Sequence, residues 1–160
     1  IYFLFVILKR LIVYFIMMGL VPIILGPGYA FNGIFQIIGF IITLIISVFL
    51  SYSTYFCMIC FGFWFGEVRA LIISYNVFNI FLSGQLIPIS LFPDELKYFV
   101  MNSPFRYMID FPVSIATSDN FNFQYFLDGI FIQILWCITM YLIGRIIYSF
   151  GIQQYEAFGA

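Results

Sequence analysis

The sequence contains no histidine, and only 8% of its 160 residues are charged. The first absence removes imidazole both as a general base and as a metal ligand. The second rules out an ordinary soluble domain, whose wetted surface takes roughly 25% charged residues. Six Lys plus Arg stand against seven Asp plus Glu, for a net charge of −1. With no basic patch to neutralise a phosphate backbone, a nucleic-acid partner is disfavoured. Neither Lys9 nor Lys97 lies in a G-x-x-x-x-G-K-[ST] loop, so the chain carries no phosphate cradle of its own. Cysteine is scarce too. Cys57 and Cys60 form a C-x-x-C pair and Cys137 stands alone. Without an electropositive helix N-terminus or a second ligand pair, they read as small apolar core residues and no metal site is expected. Asp110 and Asp128 lack a Gly-x-Gly-Asp-like setting and read as solvated acids, so no catalytic residue is assigned. The chain opens on Ile1-Tyr2-Phe3 with no signal-peptide pattern, and an N-terminally incomplete chain is the expectation.

What is abundant is apolar: 64% of residues are hydrophobic, 23% are aromatic, and the mean hydropathy is +1.12. Between Arg10 and Glu67 lie 56 residues without a charge. About 20 apolar residues cross a bilayer core, so a polytopic membrane protein follows. Gly26-Pro27-Gly28 with Asn32-Gly33, then Glu67-Val68-Arg69, then the stretch 90–124 divide the chain into four apolar segments. They cover about 11–25, 35–66, 70–89 and 126–148, in one transmembrane domain over 1–160. The second segment has no Pro or charge to break it and reads as one tilted helix of ~48 Å, longer than a ~30 Å bilayer core. The fold expected is an all-α integral membrane protein of about four spans, with no fixed-period repeat.

Four spans place both ends on one side. If that side is cytoplasmic, Lys9, Arg10, Arg69 and Arg145 lie inside and only Lys97 and Arg106 lie outside, as the positive-inside rule prefers. Residues 90–124 are then external. This stretch predicts a pair of short re-entrant or interfacial helices between the last two spans. Pro93 with Asp94-Glu95 starts one that runs to about Met101. Ser103-Pro104, an N-cap followed by Pro at the first position, starts a second that Phe111-Pro112 ends. Arg106 and Asp110 are spaced to pair, and Phe105 and Met108 share an apolar face. The element reads either as a plug that moves as one body or as a static lid.

Two polar stripes lie within the apolar segments. Thr43, Ser47, Ser51 and Thr54 share one face of the second, and Asn76, Asn79 and Ser83 share one face of the third. Both must face protein or a cavity. They serve as interhelical hydrogen-bond glue or they line a substrate path. Neither stripe contains a charge, which argues against an ion-coupled pump. Gly62-x-x-x-Gly66 permits a close helix approach.

Ser83-Gly84-Gln85-Leu86-Ile87-Pro88-Ile89-Ser90-Leu91-Phe92-Pro93, followed by Pro104-Phe105-Arg106-Tyr107 and Phe111-Pro112, resembles the "SGxxxPxxxFP … PFxYxxxFP" stretch of type-2 ABC exporter permeases, in the subgroup of ABC-2 family transporter proteins. Leu135-Trp136, Gly144-Arg145 and the tail from Tyr155 to Ala160 resemble that subgroup's "LLW", "GR" and "YEAVGG". Gln85 departs from the usual small residue, and Phe158-Gly159-Ala160 from Val-Gly-Gly. The resemblance covers about residues 60–160. It implies the last four of six spans in a plasma-membrane permease with both ends cytoplasmic. It also implies a cytoplasmic ATPase subunit that holds ATP and magnesium, a second permease subunit, and an outer element drawn from Pro88, Pro93, Pro104, Phe105, Arg106, Tyr107, Asp110 and Pro112. A stand-alone channel or secondary carrier is the rival reading, and an intramembrane enzyme a more distant one.

Overall fold

A computed structural model describes residues 33–65 and 68–158. The expected first span at 11–25 lies outside the described residues, as does Gly66 of the Gly62 pair. The described elements are all helical: α1 (Ile34–Cys60), extended by a 3₁₀ turn Phe61–Phe63; α2 (Val68–Leu82); a 3₁₀ turn Ile89–Leu91; α3 (Asp94–Asn102); α4 (Pro104–Met108); α5 (Asp110–Thr117); and α6 (Phe123–Phe158).

Among the described residues two helices are long and apolar enough to cross a membrane, Ile34–Phe63 and Phe123–Gln153. The first has no turn near Ser51, because in an apolar medium each backbone group must be bonded within its own helix and nothing in this run breaks the ladder. Asn122 starts the second. Its Oδ1 accepts from the amides of Gln124 at 3.0 Å and Tyr125 at 3.1 Å, satisfying two donors that a helix start leaves free.

α1 and α6 lie side by side and parallel. Gly39 faces Phe126, the Gln133 amide reaches the Thr43 carbonyl, Ser53 lies 3.7 Å from the Cys137 sulfur, and Phe63 covers Gly151. At three points a phenyl ring sits where a Cβ on α6 would be. A Cβ on Gly129 would come 2.0 Å from the Phe111 ring, one on Gly144 2.6 Å from Phe56, and one on Gly151 2.4 Å from Phe63. Glycine permits this approach, and dispersion across it replaces a hydrophobic drive that lipid cannot supply.

α2 returns antiparallel to α1. Val68 packs on Gly62, and the Tyr75 hydroxyl donates to Thr54 Oγ1 at 3.3 Å. It is 15 residues long and stops at Leu82, short of the sequence boundary at 89. The stop has a local cause. Gly84 has φ +80°, the left-handed conformation that ends helices and that glycine alone adopts without strain, and Pro88 follows with extended ψ 135°.

The expected pair of short helices is three. α3 and α4 start where the sequence placed them, at Asp94 and Pro104, but Ile109 (φ −138°, ψ −57°) breaks the chain and α5 opens at Asp110. Pro112 therefore does not end a helix. It sits in the first turn of α5, where its missing N–H has no partner to lose. The Ser103 cap differs as well: its hydroxyl donates backwards to the Val100 carbonyl at 2.8 Å, and Pro104 alone sets the start of α4.

Candidate functional site: the capped end of the helix pair

α3, α4 and α5 cover the end at which α1 and α6 begin. The main core joins the two layers: Phe40, Leu44 and Leu50 from α1 and Phe126 from α6 close on Tyr107, Met108, Phe111 and Ile115. A smaller cluster of Ile89, Phe92 and Val100 fixes α3 to the turn after α2.

Short helices leave carbonyls without partners, and in a water-poor setting each needs a donor. Three side chains supply them. Gln133 on α6 is fully buried, and its Nε2 donates to the carbonyls of Thr43 and Tyr107, each at 2.9 Å, tying α6, α1 and α4 at one point. Gln36 at the start of α1 donates to the carbonyls of Ile115 at 3.0 Å and Ser118 at 2.9 Å, closing the end of α5. Trp136 Nε1 donates to the Asn102 carbonyl at 3.1 Å and closes α3. Of the three, the sequence marked only Trp136, through its resemblance to the family's "LLW", and gave none of them this role. A lone glutamine in an apolar run was a signal that could have been followed, because an amide at membrane depth requires a partner.

Arg106 is the charged centre of the cap. Its Nε pairs with Asp110 Oδ2 at 3.2 Å, as the i,i+4 spacing predicts, even though the helix breaks between them. Its other nitrogens donate to the Tyr125 hydroxyl at 3.0 Å and the Met101 carbonyl at 3.4 Å, and its guanidinium lies 5.7 Å from the Tyr107 ring centroid. Burial pushes the Tyr107 hydroxyl above its ordinary pKa, against the lowering pull of Arg106. Tyr107 thus stays neutral. Phe105 and Met108 meet a common neighbour, as a shared face requires: the Phe105 ring lies 6.2 Å from that of Tyr75, tilted by 39°, and the Tyr75 hydroxyl lies 3.7 Å from the Met108 sulfur. Pro104 and Pro112 are buried in the cap, whereas Pro88 and Pro93 are exposed at its edge. Between α3 and α6 a cleft of about 590 Å³ opens outward, walled by Asp94, Lys97, Tyr98, Met101 and Asn102 on one side and by Tyr125, Asp128, Gly129 and Ile132 on the other.

The polar stripes face protein. Thr43, Ser47, Ser51 and Thr54 are all buried, and Thr43, Ser47 and Thr54 donate to carbonyls of their own helix at 2.8–3.0 Å. Two contacts act as glue between α1 and α2: Tyr75 with Thr54, and the Tyr55 hydroxyl donating to Asn76 Oδ1. Ser83 is buried and accepts from Gln85 Nε2 at 3.0 Å. Asn79 differs from the rest. It is 1% exposed, and neither its Oδ1 nor its Nδ2 has a partner. Asp110 approaches Gly84, while Asp128 accepts from Gln124 Nε2 at 3.0 Å, so the two acids serve separate neighbours. Cys57 and Cys60 are buried free thiols, and no group of three or more metal-ligating side chains occurs among the described residues.

Beyond this geometry, the chain matches the family model of the ABC-2 family transporter proteins over residues 1–159. It belongs to that family. Neither the curated proteins nor the solved structures contain a match. An ABC-2 permease is a membrane transport component rather than an enzyme, and the family associates with an ABC ATPase subunit. That role accords with a chain lacking a phosphate-binding loop and built around apolar spanning helices.

Proposed function

We propose that this chain is the membrane-spanning subunit of an ATP-driven exporter in the plasma membrane. It acts in a homo- or heterodimer of permeases with cytoplasmic ATPase subunits that hold ATP and magnesium. The observation that carries the reading is the one-sided cap: α1 and α6 run parallel, one end is closed by α3–α5, and among the described residues no such element covers the other, here called the bare end. The charges support an orientation. Arg69 and Arg145 lie toward the bare end, while Asp94, Asp110, Asp119 and Asp128 with Lys97 and Arg106 lie toward the cap. Counting Lys9 and Arg10, which precede the expected first span, with Arg69 and Arg145 gives four Lys or Arg against the two of the cap, so by the positive-inside rule the bare end is cytoplasmic and residues 90–124 are external. In this reading α2 with residues 83–89, and the segment 11–25, complete four spans, and both ends of the chain are inside.

The mechanism follows from what the cap closes. When the ATPase pair draws together, the permease halves rock as rigid bodies and the cap must part from the spans. The path then exposed runs past Thr43, Ser47, Ser51 and Thr54 on α1 and past Asn76, Asn79 and Ser83 on α2. Asn79 is the strongest candidate, because a buried amide without a partner is costly unless it is used in another state.

Two measurements test the reading. A thiol probe on Asp119→Cys is expected to react with an impermeant reagent from outside; reaction only from the cytoplasmic side overturns the orientation. Asn79→Leu is expected to change export by roughly fivefold, the scale of one lost hydrogen bond, with permease–ATPase assembly intact. Failure of that variant to assemble assigns Asn79 to helix packing instead.

A further inference from the structure

The cleft between α3 and α6 carries a chemical gradient that the transport reading does not use. On α3 its lining residues 94, 97 and 101 are spaced i, i+3 and i+7, and on α6 residues 125, 128 and 132 repeat that spacing. Each helix therefore turns one face inward, polar in its first turn and apolar two turns on. The outer mouth holds Asp94, Lys97 and Asp128, the inner end holds Met101 and Ile132, and Arg106, Tyr107 and Phe111 complete the lining. The Trp136–Asn102 bond closes the bottom.

The charge at the mouth has a sign. Arg106 reaches the cleft but is paired with Asp110, the only ion pair among the described residues. Two carboxylates, Asp94 and Asp128, then face a single ammonium, that of Lys97. A lone phosphate or carboxylate ligand is disfavoured there, and a cation is favoured. Aromatic faces add to this preference: Tyr98 is 77% exposed at the rim and Tyr125 40%, and tyrosine rings attract ammonium groups. The volume lies within the range that holds small organic ligands.

We propose that this cleft binds a cationic amphiphile, with its ammonium group between Asp94 and Asp128 and its hydrocarbon chain lying against Met101 and Ile132. The occupant is either a membrane lipid with an ammonium headgroup or a soluble amphiphilic amine. Binding stands on the cleft alone, and only its use as an outer station on an export path rests on the permease reading.

The test uses the full chain in nanodiscs of a neutral glycolipid that contains no amine, titrated with radiolabelled dodecyltrimethylammonium, with empty discs subtracted. Saturable binding is expected that dodecyl maltoside does not displace. The double variant Asp94→Asn/Asp128→Asn should weaken it about tenfold, and Lys97→Ala should tighten it about threefold, as screened charge pairs near a surface allow. A misfolded variant cannot produce the second change. Equal binding by wild type and the double variant, or equal competition by the maltoside, overturns the proposal. A second arm adds phosphatidylethanolamine to the discs. Displacement of the probe identifies the occupant as a membrane lipid and retention identifies a soluble amine; either keeps the site. The assay involves neither ATPase nor transport, so its failure and that of the exporter reading are distinguishable.

Discussion

Along its seam with α1, helix α6 packs through glycine: Phe56 lies over Gly144 and Phe63 over Gly151. Where seam and cap meet it adds a different contact, the Gln133 amide divided between the Thr43 carbonyl of α1 and the Tyr107 carbonyl of the cap. The glycine contacts of the seam are apolar and depend on shape, so their energy changes little when a ring shifts by a few tenths of an ångström. The cap depends on directed bonds to carbonyls that short helices leave unpaired, and such bonds are either made or lost. The proposed mechanism uses that division: the seam persists while the cap parts from the two standing helices as a unit.

The largest expected effect breaks the one point where the two materials meet. Gly129 lies under the ring of Phe111, which is 1% exposed and packed in the core that joins cap and spans. Gly129→Ala should cost about 2–3 kcal/mol, as overpacking of a core does. Denaturant titration in detergent measures it, and truncation of the ring in Phe111→Leu should recover part of the loss. A loss under 0.5 kcal/mol, in the range of an ordinary surface change, would mean the ring is free to turn.

Next in size is Gln133→Leu, which removes both bonds from one side chain. A loss of about 1–2 kcal/mol is expected, the scale of two hydrogen bonds in a membrane protein. Hydrogen exchange should rise across 104–117 and stay unchanged across 40–60. Equal loosening of both segments would erase the distinction between seam and cap.

The smallest effect belongs to the seam itself. Gly144→Ala meets Phe56, which is only half-buried and stacks at 6.2 Å from Tyr141, so the ring has room to swing. About 1 kcal/mol is expected, because a partly exposed neighbour relaxes. Exchange should rise near 56 and 144 while the cap keeps its protection.

Much of this architecture was legible in residue order. An uncharged run cannot leave its backbone unbonded in lipid, so α1 follows from composition alone. Local chemistry also placed the starts of α3 and α4 and the Arg106–Asp110 pair, each decided within four residues. Pro112 was misread because proline ends one helix and opens another equally well. The choice rests on whether Ile109 breaks the chain, and that is set by Ile109 and Phe111 packing into the core.

The sequence by itself determined that this chain is helical, belongs in a membrane, and bears four of its seven acids, Asp94, Glu95, Asp110 and Asp119, between the last two long apolar segments. Those properties follow from composition and from interactions across one or two helical turns. Tertiary structure alone decided that α1 and α6 lie side by side, that glycines on α6 receive rings from α1 and α5, and that Gln36 and Gln133 close the cap. Gln36 bonds residues 79 to 82 positions away, and Gln133 one that is 90 positions away. The physical reason is that an amide in an apolar run must find a carbonyl, while the carbonyl it finds depends on which helices the fold has already brought alongside.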